Sequence, residues 1–148
     1  MKLKTKLLYL LFKTFPKIFI KQFLSAYNHK LNYNLLNLLK KGLKINIIFD
    51  IGAFRGEWSK LLSETSLKKK EFYLFEANEE NRNFLEKLNF KFFLKVLSDQ
   101  NKDVNFYSNL STGDSYLKEQ TSFYSENLQP SVRKAITLDE LVKKEKIP

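Results

Sequence analysis

Apolar and polar positions along the chain predict strands and helices in turn from residue 45 onward. Three short, mainly apolar segments are typical of buried parallel strands, and they cover residues 45–50, 71–76 and 90–97. The segments between them, 57–67 and 81–88, have the three- and four-residue spacing of amphipathic helices. The side chains expected on the buried helix faces are Trp58, Leu61, Leu62, Phe84, Leu85 and Leu88.

Weaker patterns follow the third apolar run. A short strand is predicted over 104–108 and another over 132–137, with a polar, loop-like stretch over 109–130 between them. A final helix is predicted to run through Lys144. Strands that alternate with helices in this way predict an α/β fold with a parallel sheet.

Several helix ends are marked by residues that cap them. Asn78 is the expected N-cap of the helix over 81–88. Thr137 and Glu140 have the Thr-x-x-Glu spacing of a capping box, which predicts that the last helix begins there. Gly42 is expected to end an amphipathic helix over 31–41, because glycine readily adopts the left-handed conformation found at helix C-termini.

The N-terminal residues 3–27 also have helical periodicity, with Leu and Phe on one face and Lys on the other. Residues 1–44 carry ten of the lysines and no acid, whereas 45–148 carry sixteen basic and sixteen acidic residues. The chain is therefore divided into a basic helical segment, 1–44, and a neutral domain, 45–148.

Three roles are open for the basic segment. Its helix over 3–27 could pack on the domain with a solvated lysine face, contact an anionic membrane surface as a peripheral helix, or bind nucleic acid. Its aromatic residues lie on the apolar face and not between the lysines, which argues against stacking on bases, so no nucleic-acid partner is expected. Only six apolar residues, 7–12, precede the next lysine, too few for a signal peptide, so a cytoplasmic location is expected.

Composition excludes several kinds of site. The 148 residues include no cysteine and one histidine. A disulfide framework, a thiol nucleophile and a thiolate metal site are therefore excluded, and no metal centre is expected.

The strongest chemical signal is a glycine turn that follows the first predicted strand. Asp50 ends that strand, Gly52 permits a sharp turn, and Gly56 permits the next helix to approach closely. Glu76 ends the second strand, where a carboxylate can accept both hydroxyls of a ribose. If the strands are parallel and ordered third–second–first, Asp50 and Glu76 lie at the same carboxyl edge of the sheet, where nucleoside-bearing cofactors bind.

The charge pattern bears on which cofactor this is. An NAD site uses Gly-x-Gly-x-x-Gly beside a pyrophosphate, whereas here an acid precedes Gly-x-x-x-Gly. Asp50 would repel a pyrophosphate but attract the ammonium and sulfonium groups of S-adenosylmethionine. The residues therefore favour S-adenosylmethionine over NAD, while a glycine turn without a ligand in an unrelated α/β protein stays open.

Four segments in order resemble the motifs of FkbM-type methyltransferases. Residues 49–59, FDIGAFRGEWS, resemble the family's first motif, and 74–81, LFEANEEN, resemble its second. Residues 96–99, VLSD, with 104–107, VNFY, resemble the third, and 135–141, AITLDEL, resemble the last. The chain departs from the family at Phe54, where Asn is usual, and at Ala77, where Pro is usual.

This resemblance implies an α/β chain that forms the N-terminal half of a Rossmann-like class I methyltransferase fold, preceded by N-terminal helices. It implies methyl transfer from S-adenosylmethionine to an oxygen of a small molecule or a glycan. It places Asp50, Gly52 and Gly56 at the methionine end, Glu76 at the ribose, and Ser98 and Asp99 near the adenine. The full cofactor-binding set that it implies is Asp50, Gly52, Ala53, Phe54, Gly56, Glu76, Ala77, Asn78, Ser98 and Asp99. No catalytic acid or base is assigned.

The chain ends at Pro148, before the family's I-D-V-E-G strand. On that comparison the strand over 45–50 is expected to be an exposed, apolar edge through which copies could associate. Two interpretations are open: a methyltransferase present as a C-terminally incomplete chain, or a non-catalytic fragment or cofactor-binding remnant with possible contact to a membrane surface.

Overall fold

The computed structural model describes residues 34–108, 113–118 and 128–148. The basic helix predicted over 3–27 and most of the loop predicted over 109–130 lie outside these residues. In the described part of the chain, no helix combines the length and apolar character that crossing a membrane requires.

The described residues form a mixed α/β structure. Its strands are β1 (Ile47–Ile51), β2 (Glu71–Glu76), β3 (Lys91–Leu94), β4 (Val96–Leu97), β5 (Lys102–Phe106) and β6 (Ser131–Ile136). Its helices are α1 (34–40), α2 (Glu57–Glu64), α3 (Arg82–Leu85) and α4 (Leu138–Lys144), with a 3-10 turn over Glu79–Asn81 before α3.

The first sheet is parallel and has the order β1-β2-β3, as the sequence predicts. In its register Asp50 pairs with Leu74, and Glu76 pairs with Leu94. Asp50 and Glu76 thus lie near the carboxyl ends of neighbouring strands, at one edge of the sheet, which confirms their predicted placement. In the described residues β1 pairs with β2 alone, and Ile51 at its end is 59% exposed.

The prediction of a single strand over 90–97 is wrong, because the chain passes from the first sheet to a second sheet within this segment. The N–H of Lys95 donates to the carbonyl of Glu76 at 2.9 Å, and the strand then continues as β4 in a second sheet. That sheet has the order β4-β6-β5, with β4 parallel and β5 antiparallel to β6. The strands β5 and β6 are each predicted within two residues of their observed bounds.

Both faces of the first sheet are covered. On one face α1, α2 and α3 bury a core that includes Ile48, Leu62, Leu74 and Leu85. On the other face α4 and the residues after it bury Tyr73, Phe75, Leu141 and Ile147. The strands are therefore apolar on both sides, which is why they appear in the sequence as mainly apolar segments.

Two side chains predicted to face inward are partly exposed, so these predictions are wrong. Trp58 is 37% exposed, because Ser59 is the residue of α2 that turns toward the sheet, where it bonds Asp50. Phe84 is 40% exposed, and the Arg55 guanidinium covers its ring at 4.3 Å. The neighbouring positions Leu62 and Leu85 supply the buried contacts.

The predicted caps are present. Gly42 has a φ of 101°, and the bonds from its N–H to Leu39 and from the N–H of Leu43 to Leu38 form a Schellman motif. Thr137 accepts from the N–H of Glu140. Asn78 accepts from the N–H of Glu80, but it caps the 3-10 turn over Glu79–Asn81 and not α3, which is shorter than the predicted helix over 81–88. In a complete capping box the Glu140 side chain would accept from the N–H of Thr137. Here the Asn101 side chain accepts from that N–H and donates to Glu140.

Candidate functional site

The glycine turn is fixed to the second strand by backbone hydrogen bonds. The N–H groups of Gly52 and Ala53 both donate to the carbonyl of Phe75, at 2.8 and 3.0 Å. Gly52 has a φ of 77°, in the left-handed region that favours glycine, and no atom lies within 4 Å of where its Cβ would be. The turn is therefore sharp, as the sequence predicts, and the space above Gly52 is open.

Gly56 has the second predicted role, that of permitting close approach. Its φ is 71°, and a Cβ there would lie 2.3 Å from a methyl of Leu88 and 3.0 Å from a methyl of Leu74. Gly56 is also the N-cap position of α2. The start of α2 can therefore contact the sheet and the segment after α3 only because this position has no side chain.

Glu76 is the central acid of the site and is 7% exposed. One carboxylate oxygen accepts the N–H of Phe54 at 2.7 Å, and the other accepts the N–H of Asn78 at 2.7 Å. Two backbone N–H groups thus fix the orientation of the carboxylate. An ionised carboxylate has about four acceptor positions, so acceptor capacity for the two hydroxyls of a ribose remains.

A cavity of about 190 Å³ lies beside Glu76, at the carboxyl edge of the first sheet. It extends across the ends of all three strands and is closed partly by β5 and by the described loop 113–118. This volume is below the roughly 300–1,000 Å³ of pockets that enclose a drug-sized ligand. The lining residues include Gly52, Phe54, Glu76, Ala77, Lys95, Val96, Phe106, Asp114 and Tyr116.

Asp50 has a different environment from the one that the charge argument assumed. The Ser59 hydroxyl, which is fully buried, donates to its carboxylate at 2.6 Å. Burial raises the pKa of Asp50 above its ordinary value, and the Ser59 hydrogen bond offsets part of that rise. Asp50 is not among the residues that line the cavity. Its carboxylate therefore lies against α2, next to the site.

The remaining predicted site residues fall into two groups: some line the cavity, namely Phe54 and Ala77, and the others do not, namely Ala53, Gly56, Asn78, Ser98 and Asp99. Ala77 lines the cavity, and its carbonyl accepts from Arg133 at 2.6 Å, so β6 supports the segment after Glu76. Ser98 and Asp99 lie in the turn between β4 and β5 and do not line the cavity. Asp99 accepts from Ser98 and forms an ion pair with Lys102 at 2.8 Å, which lowers its pKa to about 2.

Several lining residues were missed by sequence reasoning. Asp114 and Tyr116 belong to a stretch that the sequence predicted only as a polar loop. A two-way backbone pairing of Tyr107 with Ser115, at 2.8 and 3.0 Å, folds this loop back toward the strand edge. A contact between residues so far from the glycine turn in sequence leaves no local pattern that could have predicted it.

No metal-binding group is present among the described residues: no three of their His, Asp or Glu side chains lie close enough together to hold an ion. Comparisons of the chain with protein-family models, with curated proteins and with solved structures find no match in any of the three. The function of the site therefore has to follow from its own geometry.

Proposed function

We propose that this protein binds S-adenosylmethionine at the carboxyl edge of its first sheet and is a methyltransferase with a Rossmann-like cofactor-binding fold. The observation that carries the proposal is Glu76: a nearly buried carboxylate, oriented by two backbone N–H groups, at the end of the second parallel strand and in the wall of a cavity. A carboxylate in that position is suited to hold the two hydroxyls of a ribose.

The order of groups along the sheet edge supports the same assignment. Gly52 follows β1, Glu76 ends β2, and Lys95 with Val96 follows β3. A nucleoside with its ribose at Glu76 would have its base over the end of β3, and its amino-acid tail would extend over Gly52. The tail then lies in the open space above that glycine, which accounts for a cavity smaller than the whole cofactor.

The charges of the site are also compatible with a competing class of ligand, the phosphate-bearing nucleotides. Asp50, which would repel a pyrophosphate, does not line the cavity, whereas Lys95 does. A lysine there favours a phosphate-bearing nucleotide such as NAD. Binding of S-adenosylmethionine and NAD to the same protein therefore has to be compared directly.

The binding experiment is calorimetric titration of the protein with S-adenosylmethionine, S-adenosylhomocysteine and NAD. Glu76→Gln should weaken binding of the first two by at least about tenfold, since hydrogen bonds to a charged acceptor contribute roughly 1.5–3 kcal/mol. Glu79→Gln is the matched control, because Glu79 is an exposed acid three residues away that does not line the cavity. Thermal unfolding of both variants separates loss of binding from loss of fold.

Two outcomes would reject the proposal: equal affinity in the wild type and Glu76→Gln, or binding of NAD with none of S-adenosylmethionine. Activity is then tested by transfer of a radiolabelled methyl group to a panel of sugars, small-molecule alcohols and lysate glycans. Cofactor binding without transfer to any of them would favour the second candidate, a cofactor-binding protein that does not catalyse.

A further inference from the structure

The described loop 113–118 contributes a second acid to the same cavity. Asp114 lines the cavity together with Glu76. Its position is set from two sides: one of its oxygens accepts from the Ser108 hydroxyl at 2.8 Å and from the side-chain amide of Asn78 at 2.5 Å. The neighbouring Ser115 is paired with Tyr107 through the backbone. Asp114 is thus held in place by groups from two separate segments of the chain, one at Asn78 and one at residues 107–108.

Asn78 connects the two acids of the cavity. Its backbone N–H donates to Glu76, and its side-chain amide donates to Asp114. Asn78 is 4% exposed and also caps the 3-10 turn through Glu80. Because a single, nearly buried residue contacts both carboxylates, the spacing between Glu76 and Asp114 is fixed and short enough for one nucleoside to contact both.

The surroundings of Asp114 suit a flat heterocycle. Phe106 and Tyr116 line the cavity with it, but Phe106 is 1% exposed and the Arg133 guanidinium covers its ring at 4.4 Å. Tyr116 is partly exposed, and an aromatic side chain of this kind provides surfaces on which a base can stack. An ionised carboxylate beside such surfaces can only accept hydrogen bonds, so it favours a base with an amino group at its edge.

We infer that Asp114 accepts a hydrogen bond from the exocyclic amino group of the cofactor's adenine and thereby selects adenine as the base; this inference rests on the proposed function. The family resemblance would assign the adenine to Ser98 and Asp99 instead. Those two residues bond each other, Asp99 pairs with Lys102, and neither lines the cavity. Asp114, by contrast, lines the cavity together with Glu76.

The test compares two ligands on each protein: S-adenosylhomocysteine and its inosine analogue, in which a carbonyl oxygen replaces the amino group. Wild type should bind the adenine compound at least about tenfold more tightly, because the carboxylate repels the carbonyl. Asp114→Asn keeps an oxygen that can accept from Asn78 and Ser108, but its amide can also donate. Its preference should fall to within about threefold. Asp99→Asn should keep the wild-type preference.

The preference is the ratio of the affinities for the adenine compound and the inosine analogue, measured on the same protein. A substitution that weakens the binding of both ligands equally therefore leaves this ratio unchanged. As a measurement on the unmodified side chain, the carboxyl carbon signal of Asp114 in labelled wild type should shift with the adenine compound and shift differently with the inosine analogue. If wild type binds the adenine compound tightly and Asp114→Asn keeps the same preference, the role of Asp114 is overturned while the proposed function stands. Absence of binding to wild type would overturn the proposed function as well.

Discussion

Gly56→Ala tests the close approach on which the geometry of the site depends. The new Cβ would lie 2.3 Å from a methyl of Leu88, 3.0 Å from a methyl of Leu74 and 3.3 Å from a methyl of Leu85. Leu74 and Leu85 are fully buried, so they have little room to move. Leu88 is half-buried, so it is the residue that can shift.

The expected cost has two parts. A non-glycine residue in the left-handed region costs roughly 1–2 kcal/mol. Insertion of a methyl group into a packed core adds about 1–3 kcal/mol. Gly52→Ala is the matched control, because its φ of 77° is close to the 71° of Gly56 but no atom lies within 4 Å of the new Cβ. We therefore expect Gly56→Ala to lower the free energy of unfolding by about 2–5 kcal/mol, and Gly52→Ala by about 1–2 kcal/mol.

Urea unfolding followed by circular dichroism measures both losses. Leu88→Ala, introduced alone and together with Gly56→Ala, completes a double-mutant cycle. Leu88→Ala removes the methyl group that the new Cβ contacts. It should therefore lower the free energy of unfolding by less in the Gly56→Ala protein than in the wild type. Equal losses for Gly52→Ala and Gly56→Ala, or simple additivity in the cycle, would refute the packing argument and leave backbone strain as the whole effect.

Two further predictions concern titrating groups. Burial raises the pKa of Asp50, so the folded protein binds this proton more tightly than the unfolded chain and loses stability as pH rises from about 3.8 through the raised pKa. Asp50→Asn, whose oxygen can still accept from Ser59, should therefore gain free energy of unfolding relative to wild type as pH rises above about 4, and parallel pH profiles would contradict this. Asp99 should titrate with a pKa of about 2 by carboxyl NMR, and Lys102→Ala should move that pKa up toward 3.8, whereas an unchanged value would show that the Lys102 contact is not formed.

The first half of the fold could be predicted from the sequence because its signals are local. Residues 71–76 form a strand with the predicted bounds, since an apolar run covered on both faces lies between a run of lysines and a loop. The caps at Gly42, Asn78 and Thr137 are also local, because each depends on hydrogen bonds to residues a few positions away. The same holds for the left-handed turn at Gly52, where glycine is the residue that adopts a positive φ readily.

Tertiary structure decided which residues meet at the cavity. Lys91 and Lys95 both interrupt the apolar segment over 90–97, and neither is a turn-forming residue, so the sequence does not single out Lys95 as the point where the chain passes to the second sheet. The orientation of α2, with Ser59 facing the sheet and Trp58 facing outward, goes with the hydrogen bond from Ser59 to Asp50 in β1.

The sequence by itself determined the parallel sheet, the glycine turn and Glu76 at its edge, because hydrophobic periodicity and glycine conformation act over a few residues. Only the tertiary structure decided that Asp114 lines the cavity and that Asp99 does not. That choice depends on Asn78 bonding a residue 36 positions later, and on β5 and β6 bringing the loop back to the sheet edge. Contacts at such separations come from the packing of whole strands, and they leave no pattern in the neighbouring residues.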